Sequence, residues 1–272
     1  SVVKSPDGKL KVYLVVSNGM PSYSIVYNEK NFVENSPLGL KTSVGDFTAG
    51  LVLKADVNQN KIDETYELPN IKQRVVHYEA NEAVFSFSKE NKPAIDVIFR
   101  VRNNNVAFKY KIHPQKEVLA CVVQEEASGF ILPEGTTTFL CPQSKPMTGY
   151  ARSAPSYETS YALDAAMGQN GIGEGFTFPC LFKVKNNGWV LISETGVDSG
   201  YCGSRLIGFE KGLYTIGFPM TGENNANGTS APGMSLNGET PWRTITVGET
   251  LAPIVETTIA FDLVKPKYEA SQ

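Results

Sequence analysis

Alternation with a period of two between residues 95 and 112 constrains this chain more than any other feature. Ile95, Val97, Phe99 and Val101 fall on one face of an extended run, with Asp96, Arg100 and Arg102 on the other. After Asn103-Asn104-Asn105, the residues Val106, Phe108, Tyr110 and Ile112 share one face and Lys109 and Lys111 the opposite one. Successive side chains of a strand point to opposite faces, whereas a helix repeats every 3.6 residues, so the segment reads as a half-buried β-hairpin. A second hairpin is signalled by Leu181 to Lys185, a turn at Asn186-Asn187-Gly188, and Trp189 to Glu194. Asn-Gly suits a turn in which both central residues take positive φ. In the second strand Trp189 and Leu191 oppose Val190 and Ile192, a pattern expected of a central strand covered on both sides.

The rest of the chain repeats the theme. Lys9 to Val16, Tyr23 to Tyr27 and Val84 to Phe87 are short β-rich runs between Gly, Pro, Asn and charged clusters, and Thr244 to Val247 and Ile254 to Leu263 supply late strands. Val, Ile and Thr outnumber Ala plus Leu by 58 to 36, which favours strands over helices. The best helical candidate is Ser156 to Met167, with Tyr157 and Tyr161 four apart. Long irregular pieces are expected at Cys141 to Ser156 and Gly222 to Gly238. With 272 residues, 41% hydrophobic and 19% charged, the chain has material for one large core, and no linker or repeat divides it. The expected fold is all-β: large antiparallel sheets packed face to face.

Several function classes are excluded by composition. A net charge of −3 offers no electrostatic footprint for nucleic acid, and no apolar run approaches the length of a membrane span. Cys121, Cys141, Cys180 and Cys202 never form a C-x-x-C pair, so zinc-ribbon and thioredoxin readings fail on spacing, and buried free thiols are preferred over two disulfides. Gly171-Ile172-Gly173-Glu174-Gly175 lacks the following helix and the Lys-Ser/Thr of a phosphate cradle, and reads as a loop. There is no G-x-S-x-G elbow and no H-E-x-x-H. The two histidines, His77 and His113, sit in separate strand-like runs and read as structural hydrogen-bonders, the alternative being proton transfer on a sugar. Asp63-Glu64-Thr65 reads as turn chemistry. Pro155-Ser156-Tyr157-Glu158 suits a surface that packs on a partner or on sugar rings.

Glu194 is the carboxylate that needs an explanation. It follows Val190 and Ile192 on one strand face at the end of the most apolar strand, where a charge must find a cation, a set of donors or water. A strand-end glutamate held by neighbouring amides or solvated is the plain alternative to a functional role.

The order of segments resembles the N-terminal domain of glycoside hydrolase family 97, the bacterial α-glucosidase and α-galactosidase family. The matching stretches include Ser5-Pro6-Asp7-Gly8-Lys9-Leu10, Leu38-Gly39-Leu40, Asp63-Glu64-Thr65, His77-Tyr78 and Ile98-Phe99-Arg100-Val101. Pro155-Ser156-Tyr157-Glu158, Ile192-Ser193-Glu194 and Thr240-Pro241-Trp242-Arg243-Thr244-Ile245 continue the series, so the likeness runs over essentially the whole chain. The resemblance implies a β-super-sandwich of the galactose-mutarotase-like type over residues 1–264, with residues 265–272 as an exit segment toward a catalytic (β/α)8 barrel. It further implies that the acid and base of hydrolysis lie on that barrel, so that this chain carries no catalytic residue and is inactive alone. The expected partners are the barrel and an oligosaccharide substrate, in the periplasm or outside a bacterial cell. Finally it implies that Glu194 is one ligand of an active-site calcium completed by barrel glutamates. On this reading the Glu194 carboxylate is expected free of any structural Arg or Lys partner. The rivals are a self-sufficient mutarotase-like epimerase using His77 or His113, and a carbohydrate-binding protein on the same sandwich.

Overall fold

A computed structural model describes residues 1–68, 71–115, 117–143, 161–168, 175–210, 212–223 and 230–266. Among them, seventeen strands are hydrogen-bonded into one antiparallel network and four more into a small second sheet. The alternating segment forms the hairpin Lys92–Val101 and Asn105–Ile112, with Ile95 opposite Ile112, Val97 opposite Tyr110, Phe99 opposite Phe108 and Val101 opposite Val106. The large sheet folds back over its own inner face. Tyr23, on Met20–Tyr27, meets Phe99 at 5.9 Å and Phe108 at 5.3 Å between ring centroids, although its own strand pairs only with Leu10–Ser17 and Lys30–Pro37. The resulting core is contiguous and includes Phe85, Phe87, Phe130, Phe182 and Tyr214.

Trp242–Gly248 is buried at every residue and joins the two hairpins, pairing with Asn105–Ile112 on one edge and with Gly188–Thr195 on the other. Gly188–Thr195 is therefore central, as its sequence implies. Its Val190 and Ile192 are buried, while Trp189 and Leu191 on the opposite face are half-buried, Trp189 against Phe139 and Lys183, so cover is complete on one side only. The hairpin turn is Lys185-Asn186-Asn187 rather than Asn-Gly: Val184 pairs with Gly188, and Lys185 takes the positive φ of 40°. Gly188 is needed for another reason. Its φ is +137°, and a Cβ there would lie 2.1 Å from the Gly248 carbonyl oxygen.

Four expected elements differ. Residues 254–263 are not a strand but contribute to two short helices, Ala252–Glu256 and Ile259–Leu263. Pro253 occupies the first turn, where its missing N–H costs nothing. Asp262 accepts from Tyr66 Oη at 2.6 Å, Arg102 Nη1 at 2.7 Å and Thr258 Oγ1 at 3.0 Å, which fixes the second helix. That helix places Ile259 over Ile98, Ala107 and Trp242, so the outer face of the first hairpin is also covered. Ala162–Ala166, inside the expected helix, is a strand paired with Thr137–Pro142; residues 156–160 lie outside the described set. Asp63-Glu64-Thr65 lies within the ten-residue strand Asn58–Glu67, not a turn, because ten consecutive pairings with Val75–Lys89 outweigh local turn preference. Gly222 to Gly238 is not wholly irregular, since Gly233–Ser235 pairs with Ala120–Glu126. No helix among the described residues is long and apolar enough to cross a membrane.

Candidate functional site

Glu194 sits one residue from the end of Gly188–Thr195 and faces Arg243 across the ladder. Arg243 shares the inner face of its strand with Ile245 and Val247 and is wholly buried. Burying a guanidinium alone would cost several kcal/mol. The fold answers with two carboxylates. Glu126, at the end of Ala120–Glu126 and also fully buried, takes a fork from Arg243, Nε to Oε1 at 2.7 Å and Nη2 to Oε2 at 2.6 Å. On the other side Arg243 Nη1 donates to Glu194 Oε2 and, at 2.9 Å, to Ser204 Oγ. Burial works against the Arg243 charge, but the carboxylates of Glu126 and Glu194 outweigh it and hold its pKa above the usual arginine value.

The network continues inward. Ser128 Oγ donates to Glu126 at 2.9 Å and shares a 2.8 Å hydrogen bond with Tyr110 Oη, which accepts from the Gly39 amide at 3.0 Å. Tyr201 Oη donates to Glu126 at 3.3 Å, and burial followed by the Glu126 charge drives its pKa well above the ordinary phenol value. Glu194 itself accepts from the Ser204 amide at 2.9 Å and from Ser204 Oγ at 2.6 Å. The expectation that Glu194 is free of an Arg partner is therefore wrong. A half-turned-in carboxylate, 13% exposed, draws the nearest buried cation to itself.

The arrangement still leaves Glu194 able to act as one ligand. A carboxylate has about four lone-pair directions, and Ser204 and Arg243 take three, leaving one on Oε1. Gly203 presents no side chain there; a Cβ would come 3.7 Å from Oε1. Calcium accepts six to eight oxygens with tolerant geometry, so Glu194 fits as one donor of a larger set. Among the described residues Glu194 belongs to no group of three clustered potential metal ligands.

Beside the end of the same strand lies a recess of about 600 Å³, lined among others by Thr195, Asp198, Tyr201, Trp242, Phe261 and Val264. Trp242 forms part of its wall, its ring carrying Lys109 Nζ at 4.4 Å and Arg100 Cζ at 5.1 Å. Val197 and Phe261 are 40% exposed and give the mouth an apolar edge.

The two histidines lie in different segments, His77 within Val75–Lys89 and His113 just after Asn105–Ile112. His77 is exposed, with Nδ1 3.2 Å from Thr65 Oγ1 and Nε2 3.7 Å from both Asp63 and Glu79. His113 Nε2 lies 2.9 Å from Asp96 Oδ1 at the other end of the sheet hairpin. None of the four cysteines is disulfide-bonded; Cys121, Cys141 and Cys180 are buried and Cys202 is partly exposed. The segments around Pro155 and Gly171 lie outside the described residues, apart from Gly175.

A family profile described as glycosyl-hydrolase 97 N-terminal matches residues 3–266. The chain belongs to this family. A probable retaining alpha-galactosidase of Streptomyces bingchenggensis (strain BCW-1) is 28% identical over 265 residues, which is 97% of this chain and 37% of that protein. The crystal structure of a beta-arabinopyranosidase superposes with a TM-score of 0.94 at 51% identity, over all of this chain and 44% of that one. A glycoside hydrolase family 97 enzyme from Pseudoalteromonas sp. strain K8, in complex with panose, gives a TM-score of 0.81 at 21% identity, over 98% of this chain and 38% of that one. This last likeness is one of fold, and it bears out the all-β sandwich of the glycoside hydrolase family 97 N-terminal domain. The chain spans well under half the length of these relatives.

Residues that the sequence reading missed are Glu126, Ser204 and the role of Arg243. A charged Arg243 on the same face as Ile245 and Val247 was the available signal, since a strand buried on that face demands a buried counter-charge.

Proposed function

We propose that the chain is the N-terminal, non-catalytic domain of a glycosidase that removes galacto-configured sugars, α-galactosides or β-L-arabinopyranosides, from oligosaccharides. The observation that carries this reading is the family match over residues 3–266, joined to 51% identity with a beta-arabinopyranosidase. In the L series a β-arabinopyranoside has the ring stereochemistry of an α-D-galactopyranoside without the hydroxymethyl group, so one pocket shape would serve both substrates. A pocket that contacts the hydroxymethyl group would separate them by only a few kcal/mol.

In this reading the domain braces the catalytic part of the polypeptide, and the recess at Thr195, Trp242 and Phe261 receives it. Glu194, held beside that recess, offers its remaining Oε1 lone pair to calcium. The ion, when bound, supplies a hard positive charge that attracts and polarises oxygen groups. Glycoside hydrolysis needs a positioned pair of acid and base carboxyls, and the proposal assigns both to the remainder of the enzyme.

The test is a panel of nitrophenyl α-galactoside, β-L-arabinopyranoside and α-glucoside offered to the full-length enzyme and to the 272-residue chain. Full-length turnover of the first two in preference to the third, with none by the chain, is expected. Turnover by the chain alone, or a preference for the α-glucoside, overturns the reading.

A further inference from the structure

A pair of opposite buried charges satisfies itself, yet Arg243 is given two carboxylates. Glu126 already supplies a complete fork to its Nε and Nη2. Adding Glu194 leaves the cluster one net negative charge, and the excess lies at the Glu194 end, which is the only one of the three with measurable side-chain exposure. Stability alone gives no reason for this, because replacing buried ionic groups by apolar ones is often neutral or better. The donors on Glu194 are also directional. Ser204 bridges both oxygens, amide to Oε1 and hydroxyl to Oε2, and the same hydroxyl accepts from Arg243 Nη1. Arg243 is in turn immobilised through Glu126, Ser128, Tyr110 and the Gly39 amide, every side chain of which is buried.

We propose that Arg243 and Ser204 are positioning residues that hold the Glu194 carboxylate in one rotamer with a single Oε1 lone pair turned outward for a divalent cation. The inference rests on the reading that Glu194 is a calcium ligand. A glutamate side chain otherwise loses rotamer freedom when it binds an ion, and a prearranged one has already done so. The fixed direction also selects a monodentate contact, leaving the rest of the coordination shell to other donors.

Calcium chloride titrated calorimetrically into chelator-stripped full-length enzyme tests this, with the melting temperature of each calcium-free variant measured alongside. Ser204→Ala, which removes only the hydroxyl, is expected to weaken calcium about tenfold or more, the usual effect of losing a group that orients a metal ligand. Arg243→Lys keeps the charge but not the fork and is expected to weaken it similarly, while Ser204→Thr, which restores the hydroxyl, stays within about threefold of the parent. If Glu194→Gln weakens calcium and Ser204→Ala binds it as tightly as the parent, the positioning role is wrong and the cluster serves the fold alone. If Glu194→Gln itself leaves calcium affinity intact, the calcium reading fails and the inference falls with it. Should Arg243→Lys not fold, the Ser204 pair decides.

Discussion

Truncating Glu126 to alanine isolates the energetics of the buried cluster. The substitution takes away both acceptors of the Arg243 fork and the acceptor of Ser128 and Tyr201, and leaves the guanidinium with Glu194 and Ser204 alone. Arg243 and Glu126 have no side-chain exposure, so water cannot replace what is lost. Breaking a buried pair by removing one partner costs about 3–5 kcal/mol. At roughly 2–4 °C per kcal/mol for a domain of this size, the melting temperature of the chain should fall by roughly 6–20 °C. Glu125 supplies the control on the same strand. Its pair with Lys41 is half exposed on both sides, so Glu125→Ala should cost at most about 1 kcal/mol. Urea unfolding of both variants against the parent measures the difference. Equal destabilisation by the two, within about 1 kcal/mol, would refute the claim that Arg243 depends on Glu126. Replacing both partners, Glu126→Leu with Arg243→Met, should recover only part of the loss, because Glu194 keeps its Ser204 donors but loses its cation.

Other expectations follow from packing and chemistry. Phe108→Ala should destabilise by about 3–5 kcal/mol in the same urea assay, since the ring meets Tyr23, Phe99, Tyr110 and Phe130 with no exposure. Gly188→Ala should cost about 1–3 kcal/mol, because alanine must both adopt a φ of +137° and push the Gly248 carbonyl away; a neutral result would show the turn to be mobile. Burial pushes the Cys202 thiol up to about 11, so at pH 8 only about one molecule in a thousand carries the thiolate. Labelling of Cys202 should therefore rise about tenfold per pH unit toward that value, and all four thiols should react once the chain is unfolded in denaturant; fewer than four would reveal a disulfide.

The inward and outward faces of the hairpin at residues 92–112 were readable because one face carries an unbroken apolar series, and a slip of one residue would send Phe99 and Phe108 to the wrong side; the turn was not, since Asn105 belongs to the second strand. Residues 252–263 were not readable in the same way. Ile254, Val255 and Ile259 are strand formers by propensity, and only Pro253 and the tertiary contacts of Asp262 with Arg102 and Tyr66 turn the segment helical. Glu194 could be singled out because a charge at the end of an apolar strand is conspicuous. The other carboxylate on Arg243, Glu126, lies 68 positions before Glu194, beside the exposed Glu125, and nothing local distinguishes which of Glu125 and Glu126 turns inward. The same cluster makes Glu194→Gln costly to the fold. The amide would present a donor to Ser204 or to Arg243, so the domain should lose about 1–3 kcal/mol rather than melt unchanged.

Calcium affinity of the full-length enzyme before and after Glu194→Gln, measured at a temperature where both remain folded, bears most directly on the account. Calcium binding through Glu194 requires one ion bound per full-length molecule, no tight site on the 272-residue chain, and a joint loss of calcium affinity and glycosidase turnover in the variant. Unchanged affinity and turnover in a folded Glu194→Gln enzyme would contradict it, and would leave Glu194 as a partner of Arg243 and nothing more.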